Sequence, residues 1–408
     1  MTKNLPALAF TIFLLSASLW ARDPVAWVLN GSGETLSKIN LNTGAAMNNV
    51  VTVGSDVLCY PNQIVVRDTM AYVVVSGTDE IQLIDLNSET TVAFISLSDG
   101  FSPFWMAFLD SRYVYVTGFA DNSLAKVDVV SRAVVDYWPV GLSPEGILIC
   151  NRKAYIGITA FDPMTWQYGQ GKVVVFDTKG DSLLMELNVG VNPQYLTGDT
   201  AGLIHVVCTG DYWSAFGMIY VLDPAVDAVI DSFATGGFPG NITIGPDNIA
   251  YLAAGGWVSD GQVYSYDATT RELLHGAENP IVVDSGCMMV AAYQDTSAFV
   301  GTFKDFVTSI DSAGNELARY PVGDGPVHAA FNYLPGDLNG DFVIDISDLV
   351  YLVDYMFVDG PPPRYPRWRG NINGVGGIDI IDISDLVYLV DYMFCQGPPP
   401  KVGSTWPG

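Results

Sequence analysis

The chain has 408 residues, 49% hydrophobic and 15% charged, which is enough apolar material for large cores and excludes a disordered polymer. Its net charge of −26, from 44 acidic and 18 basic residues, excludes the basic footprint that nucleic-acid binding needs and suits a protein that meets cations. The cysteines Cys59, Cys150, Cys208, Cys287 and Cys395 are odd in number and widely spread, so they read as buried free thiols rather than a disulfide framework.

Residues 1–21 read as a signal peptide. Lys3 supplies the positive start, residues 5–15 an apolar run, and residues 16–21 small side chains for cleavage. The run is shorter than the ~20 residues of a membrane span, and no later segment is long and apolar enough to span. The expectation is a secreted or cell-surface protein without a transmembrane anchor.

From residue 25 to residue 333 one unit recurs: an apolar strand, a loop, a second strand ending in Asp or Asn, a turn, a third strand and a Gly/Pro-rich loop. The acidic marker falls at Asn40, Asp85, Asp128, Asp177, Asp223, Asp267 and Asp311, with gaps of 45, 43, 49, 46, 44 and 44. Seven units of that length predict a β-propeller over residues 22–334. The runs at 71–75, 113–117, 154–158 and 250–254 are corresponding strands, rich in β-branched and aromatic residues and apolar enough to lie buried between blades. Each marker is expected to accept from backbone two residues on and hold a turn, not to catalyse. The repeat begins at its second strand, so the lone last strand, 327–333, is expected to complete the first blade and leave no open sheet edge. Helical solenoids are excluded by the missing 3.6-residue period.

The Tyr-Val-Tyr-Val-Thr run at 113–117, the strand end Val127-Asp128, and the Val-Gly-x-x-Pro loops at 140–144 and 189–193 resemble the YVTN/NHL-like propeller family over residues 25–333. Two sets of loops share one face of such a fold. Three consecutive units carry long aromatic loops there: Phe161 to Tyr168 with Trp166, Asp211 to Phe216 with Tyr212 and Trp213, and Gly256 to Asp260 with Trp257. Exposed aromatics beside Asp suit stacking on a glycan or gripping a peptide; mutual packing of the loops is the alternative. After the inter-blade loops stand Asn62, Trp105, Glu145, Tyr195, Asn241 and His328, expected to ring the channel mouth. Glu145 and His328 are the one acid–histidine combination with a catalytic look, and some related seven-bladed propellers perform lyase chemistry with a His/Glu cluster and a metal.

Residues 335–400 form a different module, followed by a tail at 401–408. The stretch 344–357 recurs identically at 381–394, and both copies run on to Gly-Pro-Pro-Pro. Asp337, Asn339, Asp341, Asp345 and Asp348 stand at loop positions 1, 3, 5, 9 and 12, with the Val343 carbonyl at position 7, which is the spacing of a calcium loop. Leu349, Leu352, Val353 and Met356 then predict a helix. The second loop offers Asn371, Asn373, Asp379, Asp382 and Asp385, is three residues longer, and has Val375 where the first has Asp341, so its calcium site is left open. Arg364, Arg367, Trp368 and Arg369 between the copies read as a stiff linker whose arginines cover carboxylates, or else as a contact patch.

The tandem loop–helix motifs resemble the dockerin family. The resemblance implies Ca2+ and a cohesin-like partner, with Ile346, Ser347, Ile383 and Ser384 as the partner-choosing positions. Three readings stay open: a binding platform attached through calcium, a dockerin-borne lyase or glycan-active enzyme, and a C-terminal module that braces the propeller.

Overall fold

The computed structural model describes residues 24–400 apart from 246, 256–260, 294–296, 333, 341–342, 359, 362, 364–366, 375–380, 396 and 399. The expected signal peptide at 1–21, the Trp257 loop, Asp341, Asp379 and the tail at 401–408 lie outside the described residues.

Seven antiparallel blade sheets form, six of them built from inner to outer strand in chain order and the first with the last strand of the chain at its inner edge; the outer edge of the sixth is split into Leu273–His275 and Ile281–Val283. The inner strands are Pro326–Phe331, Pro61–Arg67, Pro103–Phe108, Pro144–Cys150, Pro193–Gly198, Ile242–Ile244 and Met289–Tyr293, numbered here as blades 1 to 7. Each touches the next and the seventh touches the first, so the ring closes. The strand Pro326–Phe331 pairs with Val25–Asn30, matching Ala26 to Phe331 and Val28 to Ala329. The last strand therefore completes the first blade, as the order of the repeats predicted, and no edge is left open at the junction.

The hydrophobic pattern explains the layering. Second strands such as Tyr113–Gly118 and Lys153–Ile158 are buried almost throughout, while the outer strand Ser182–Asn188 lies mostly in solvent. The core is a series of inter-blade seams: Val74, Ile81, Phe101, Met106 and Val116 between blades 2 and 3 are one of them. Each such side chain contributes about 1.5–3 kcal/mol by leaving water.

The seven marker residues do what their chemistry suggests. Asp85 Oδ1 accepts from Asn87 N (2.8 Å) and Ser88 N (3.1 Å), Asp267 Oδ1 accepts from Thr269 N and Thr270 N (both 2.8 Å), and Asn40, Asp128, Asp177, Asp223 and Asp311 hold their turns in the same way. These turns lie on the face opposite the aromatic loops. All five thiols are free; Cys59, Cys208 and Cys287 are buried as expected, but Cys395 ends a helix in an exposed position.

The C-terminal module contains helix α1 (Ile346–Phe357) and helix α2 (Ile383–Phe394). Leu338, Ile344 and Leu352 of the first half and Ile372 and Leu389 of the second form its core. Asp345 and Asp382 cap the helices, each joined in a capping box by the acid three residues later.

Candidate functional site

Two successive positions of the inner strands must be separated to understand the channel mouth. Six of the seven inner segments follow a proline. Two places after it stand His328, Gln63, Trp105, Gly146, Tyr195 and Asn241. The expected ring placed Asn62 and Glu145 among them; the structure corrects this, because both sit one residue earlier, level with Phe104 and Gln194. The cause is a register shift at the strand start, seen between Pro61 and Gln63, Pro103 and Met106, Pro144 and Ile147, and Pro193 and Tyr195. Such a bulge breaks the period of two on which side-chain direction is read.

Three side chains of the ring link neighbouring blades. Ile64 N donates to His328 Nδ1 (3.4 Å), Met106 N to Gln63 Oε1 (2.7 Å), and Val290 N to Asn241 Oδ1 (3.0 Å). His328 is thereby an inter-blade acceptor, and burial holds its imidazole down at about 4, neutral at pH 7. In blade 4 a side chain is excluded: a Cβ on Gly146 would lie 2.6 Å from the Gln194 carbonyl oxygen.

Trp105 crosses the channel. Its ring stands 5.0 Å from His328 of blade 1 and 5.3 Å from Tyr195 of blade 5, edge-on to both. Expected on the ligand rim, it is instead buried as a plug, only 7% exposed. Burial and the bond from Ile64 shift His328, and burial and Gln194 shift Glu145; neither side chain acts on the other, so the suspected acid–histidine combination is not assembled.

Above the plug the aromatic loops form a belt. Phe104 meets Phe119 (6.4 Å), Phe119 stacks on Phe161 (6.1 Å), Phe161 meets Tyr168 (5.0 Å), and Tyr168 meets Tyr212 (6.2 Å). Tyr212 continues to Phe238 (5.5 Å), and Phe104 closes inward on Tyr195 (6.2 Å). These loops divide their aromatics: Tyr168 and Tyr212 pack on each other, while Trp166 (80%) and Trp213 (88%) stand in solvent. Asp162 and Asp211 build the loops that raise them. Asp211 accepts from the backbone of Trp213, Ser214 and Ala215 and from the Ser214 hydroxyl, which holds its carboxyl well below the usual range. Phe104, Phe119 and Phe238 were not singled out from sequence, although Phe119 opens the same loop in blade 3 that Phe161 occupies in blade 4.

Glu145 lies beneath the belt, 3% exposed. Gln194 donates to its carboxyl, but Oε2 has no hydrogen-bond partner among the described residues. Burial pushes its pKa up to about 8, against the pull of Gln194. Its charge in turn helps burial to push up the phenols of Tyr168, Tyr195 and Tyr212, the last to about 12. Gln194 Oε1 accepts from Thr209 (2.7 Å) and from the Tyr212 hydroxyl (3.3 Å), connecting the carboxyl to the half-exposed ring.

The other histidines are settled in polar contacts. His205, fully buried, meets Asp199 Oδ2 (3.2 Å) and the Tyr266 hydroxyl (2.8 Å), and His275 meets Ser265 (2.8 Å).

The C-terminal loops superimpose in chemistry. In the first, Asp348 Oδ1 accepts from Leu338 N (2.7 Å) and Asn339 N (3.1 Å), and its Oδ2 from Asp345 N (2.9 Å). In the second, Asp385 Oδ1 accepts from Asn373 N (3.0 Å) and its Oδ2 from Asp382 N (2.9 Å). Asn339 donates to Ser347 and Asn373 to Ser384, so both serines are engaged inside their loops. Asp337 matches Asn371, Asp345 matches Asp382, and the insertion falls within 374–381. Among the described residues no cluster of three metal-binding side chains is assembled. The donors present are all oxygens, and Asp337 stands close enough to Asp348 to add to the burial that raises it to about 6, so the first loop fits a hard divalent cation in chemistry. Arg369 meets Asp337 Oδ2 at 2.9 Å with both side chains buried, which realises the expected covering of a carboxylate by a linker arginine. Burial raises Tyr293, with Arg369 opposing and Asp337 adding, and this sets the pair beside the propeller face opposite the aromatic belt. Ile346 (55%) and Ile383 (56%) are exposed, as are Val350 and Val387 beside them.

No protein-family model matches the chain, and no curated protein matches it. Among solved structures it is similar to hydrazine synthase of Kuenenia stuttgartiensis, at 15% identity over 68% of this chain and 91% of that one, with a TM-score of 0.55. It is also similar to a functionally unknown protein from Desulfotomaculum acetoxidans, at 14% identity over 76% and 99%, with a TM-score of 0.57. At these identities the likeness speaks for architecture alone, and the chain is a mainly β, seven-bladed propeller with a small helical C-terminal module.

Proposed function

We propose that the chain is an exported binding protein: a YVTN/NHL-like propeller whose aromatic face recognises a ligand, carried by a dockerin-like module that attaches it to a cohesin-type partner at the cell surface or beyond. The observation that carries this reading is the belt from Phe104 to Phe238 with Trp166 and Trp213 projecting from it, on the face turned away from the Arg369–Asp337 pair. Large exposed aromatics held on capped loops are costly unless they meet a partner.

Calcium, when bound, supplies a divalent charge that organises loop oxygens. Asp337, Asn339, Asp341, the Val343 carbonyl, Asp345 and Asp348 would hold it in the first loop, and Asn371, Asn373, Asp379, Asp382 and Asp385 in the second. The exposed Ile346 and Ile383, each beside an engaged serine, support docking through the start of either helix.

The test is capture from envelope and secreted fractions by the full chain, with calcium and with chelator. A partner held only with calcium, and lost in Ile346→Asp/Ile383→Asp, supports attachment. A partner lost in Trp166→Ala/Trp213→Ala supports the aromatic face. Capture indifferent to both variants overturns the reading.

A second reading draws on Tyr293: a module seated on the propeller also braces it. Removing residues 335–408 then lowers the propeller's thermal midpoint.

A further inference from the structure

Resting on the reading of the aromatic face as a recognition surface, we propose that the Glu145 carboxyl beneath the belt takes an alkylammonium cation, a primary or quaternary amine held between the carboxylate and the rings of Tyr168, Tyr195 and Tyr212.

The argument begins with an imbalance. A buried carboxyl is ordinarily satisfied on both oxygens, because an unpaired polar group in a low-dielectric site costs one to a few kcal/mol. Glu145 has Gln194 on one side and, among the described residues, no hydrogen-bond partner on Oε2. Asn192, also fully buried, has no partner on its Oδ1, although its Nδ2 donates to the Gly210 carbonyl (3.1 Å). The Glu145 oxygen, without a donor among the described residues, marks a place open to one, whereas the Asn192 side chain already engages the phenols of Tyr168 and Tyr212.

The walls specify the donor's character. Tyr168, Tyr195 and Tyr212 all feel the Glu145 charge, and Phe104 and Phe161 extend the same ring system. Aromatic faces attract cations and are worth most where water is excluded. A metal ion fits poorly, since among the described residues no second carboxylate joins Glu145 in a metal-binding cluster. An anionic ligand is disfavoured by the whole face. Its described loops carry Glu34, Asp56, Asp79, Asp99, Asp121 and Asp324 among their carboxylates, and Lys304 is their one basic residue. That field gathers cations at the face above Glu145. Tyr212 is the ring through which entry is easiest. It is half-exposed, and its hydroxyl holds Gln194 by a long 3.3 Å bond that shares an acceptor with Thr209.

The test is calorimetric titration of the full chain at pH 8.5, above the value of about 8 at which the buried Glu145 carboxyl gives up its proton, with choline, with n-butylammonium and with 3,3-dimethylbutan-1-ol, the uncharged counterpart of choline in shape. Both cations are expected to bind and the alcohol to be at least about tenfold weaker. Glu145→Gln removes the charge while keeping the shape and relieves a buried carboxyl, so it folds; it is expected to lose choline binding by about tenfold or more, and Tyr212→Leu to weaken it several-fold. A lysine peptide blocked at both ends distinguishes a protein side chain from a free amine as the source. Alcohol binding equal to choline, unchanged affinity in Glu145→Gln, or no binding of either cation overturns the proposal. Should that happen while Trp166→Ala/Trp213→Ala still abolishes partner capture, the recognition surface stands and only the cation site falls.

Discussion

The imidazole of His328 stands edge-on to the indole of Trp105, with ring centroids 5.0 Å apart and planes at 84°. Blade 1 thereby touches a side chain from blade 3 across the axis, and the same indole reaches Tyr195 of blade 5 at 5.3 Å. The channel is closed at this level by one tryptophan held between two partners. His328 belongs to that closure and to the hydrogen bond from Ile64, and accepting that bond at Nδ1 needs a neutral ring.

His328→Gln is expected to be tolerated, because Gln63 performs the same acceptor role one blade on. His328→Ala leaves the buried Ile64 N–H without an acceptor and is expected to cost about 1–3 kcal/mol. The native ring takes up its proton only near pH 4, below the ordinary value near 6.5, so it contributes stability above pH 6.5 that is lost as pH falls towards 4. Urea denaturation from pH 4 to 7 checks this: the glutamine variant has the flatter acid limb.

Glu145 acts in the opposite sense. Between the ordinary glutamate range and about pH 8 the folded chain keeps a proton that the unfolded chain has released, so stability falls as pH rises and levels off above 8. Glu145→Gln removes this slope of about 1.4 kcal/mol per unit. The variant is expected to match the parent near pH 4 and exceed it by a few kcal/mol at pH 8.5. Comparing denaturation midpoints at pH 6.5 and 8.5 isolates the effect, since His328 no longer titrates there. A difference independent of pH would mean that the carboxyl is not buried as described.

Trp166→Ala and Trp213→Ala are expected to leave the thermal midpoint within the small range of surface substitutions, about 0.5 kcal/mol. Both indoles lie in solvent, 80% and 88% exposed, and the loops below them are held by Asp162 and Asp211. Asp211→Ala, by contrast, releases three backbone N–H groups and is expected to raise proteolysis within the loop.

Arg369→Ala breaks a buried ion pair and is expected to destabilise the C-terminal module by about 3–5 kcal/mol, because the buried Asp337 carboxylate loses its countercharge. On the proposed calcium reading the ion would bring another positive charge to the same carboxylate, so the loss is expected to shrink when calcium is added. Calorimetric unfolding with calcium and with chelator checks both points; an equal loss in the two conditions would separate Arg369 from the cation's role.

Much of the architecture could be read from residues because it rests on local chemistry. Asp85 and Asp267 predict their turns through carboxylates that need only the next few N–H groups, and that spacing counts the blades. The missing first inner strand predicts its replacement by Pro326–Phe331. What could not be read depends on register and distance. Glu145 and Trp105 occupy the same few residues after a proline, yet one lies under the belt and the other fills the axis, because the bulges that separate them have no signature beyond the proline itself. The Trp105–Tyr195 and Tyr168–Tyr212 contacts join residues from different blades, and strand periodicity carries no information about rings meeting across a channel.

The pairing of Pro326–Phe331 with Val25–Asn30 also decides how the molecule bears load. The chain leaves this strand at Phe331 and passes within a few residues into the C-terminal module. Tension applied through the module therefore enters the propeller at the one blade assembled from both ends of the chain. Directed along the strand, it is shared by the whole row of backbone bonds in shear; directed sideways, it peels them one at a time, beginning at Ala26 and Phe331. The seam that closes the circle is the mechanical fuse of the protein, and the angle of pull sets its strength.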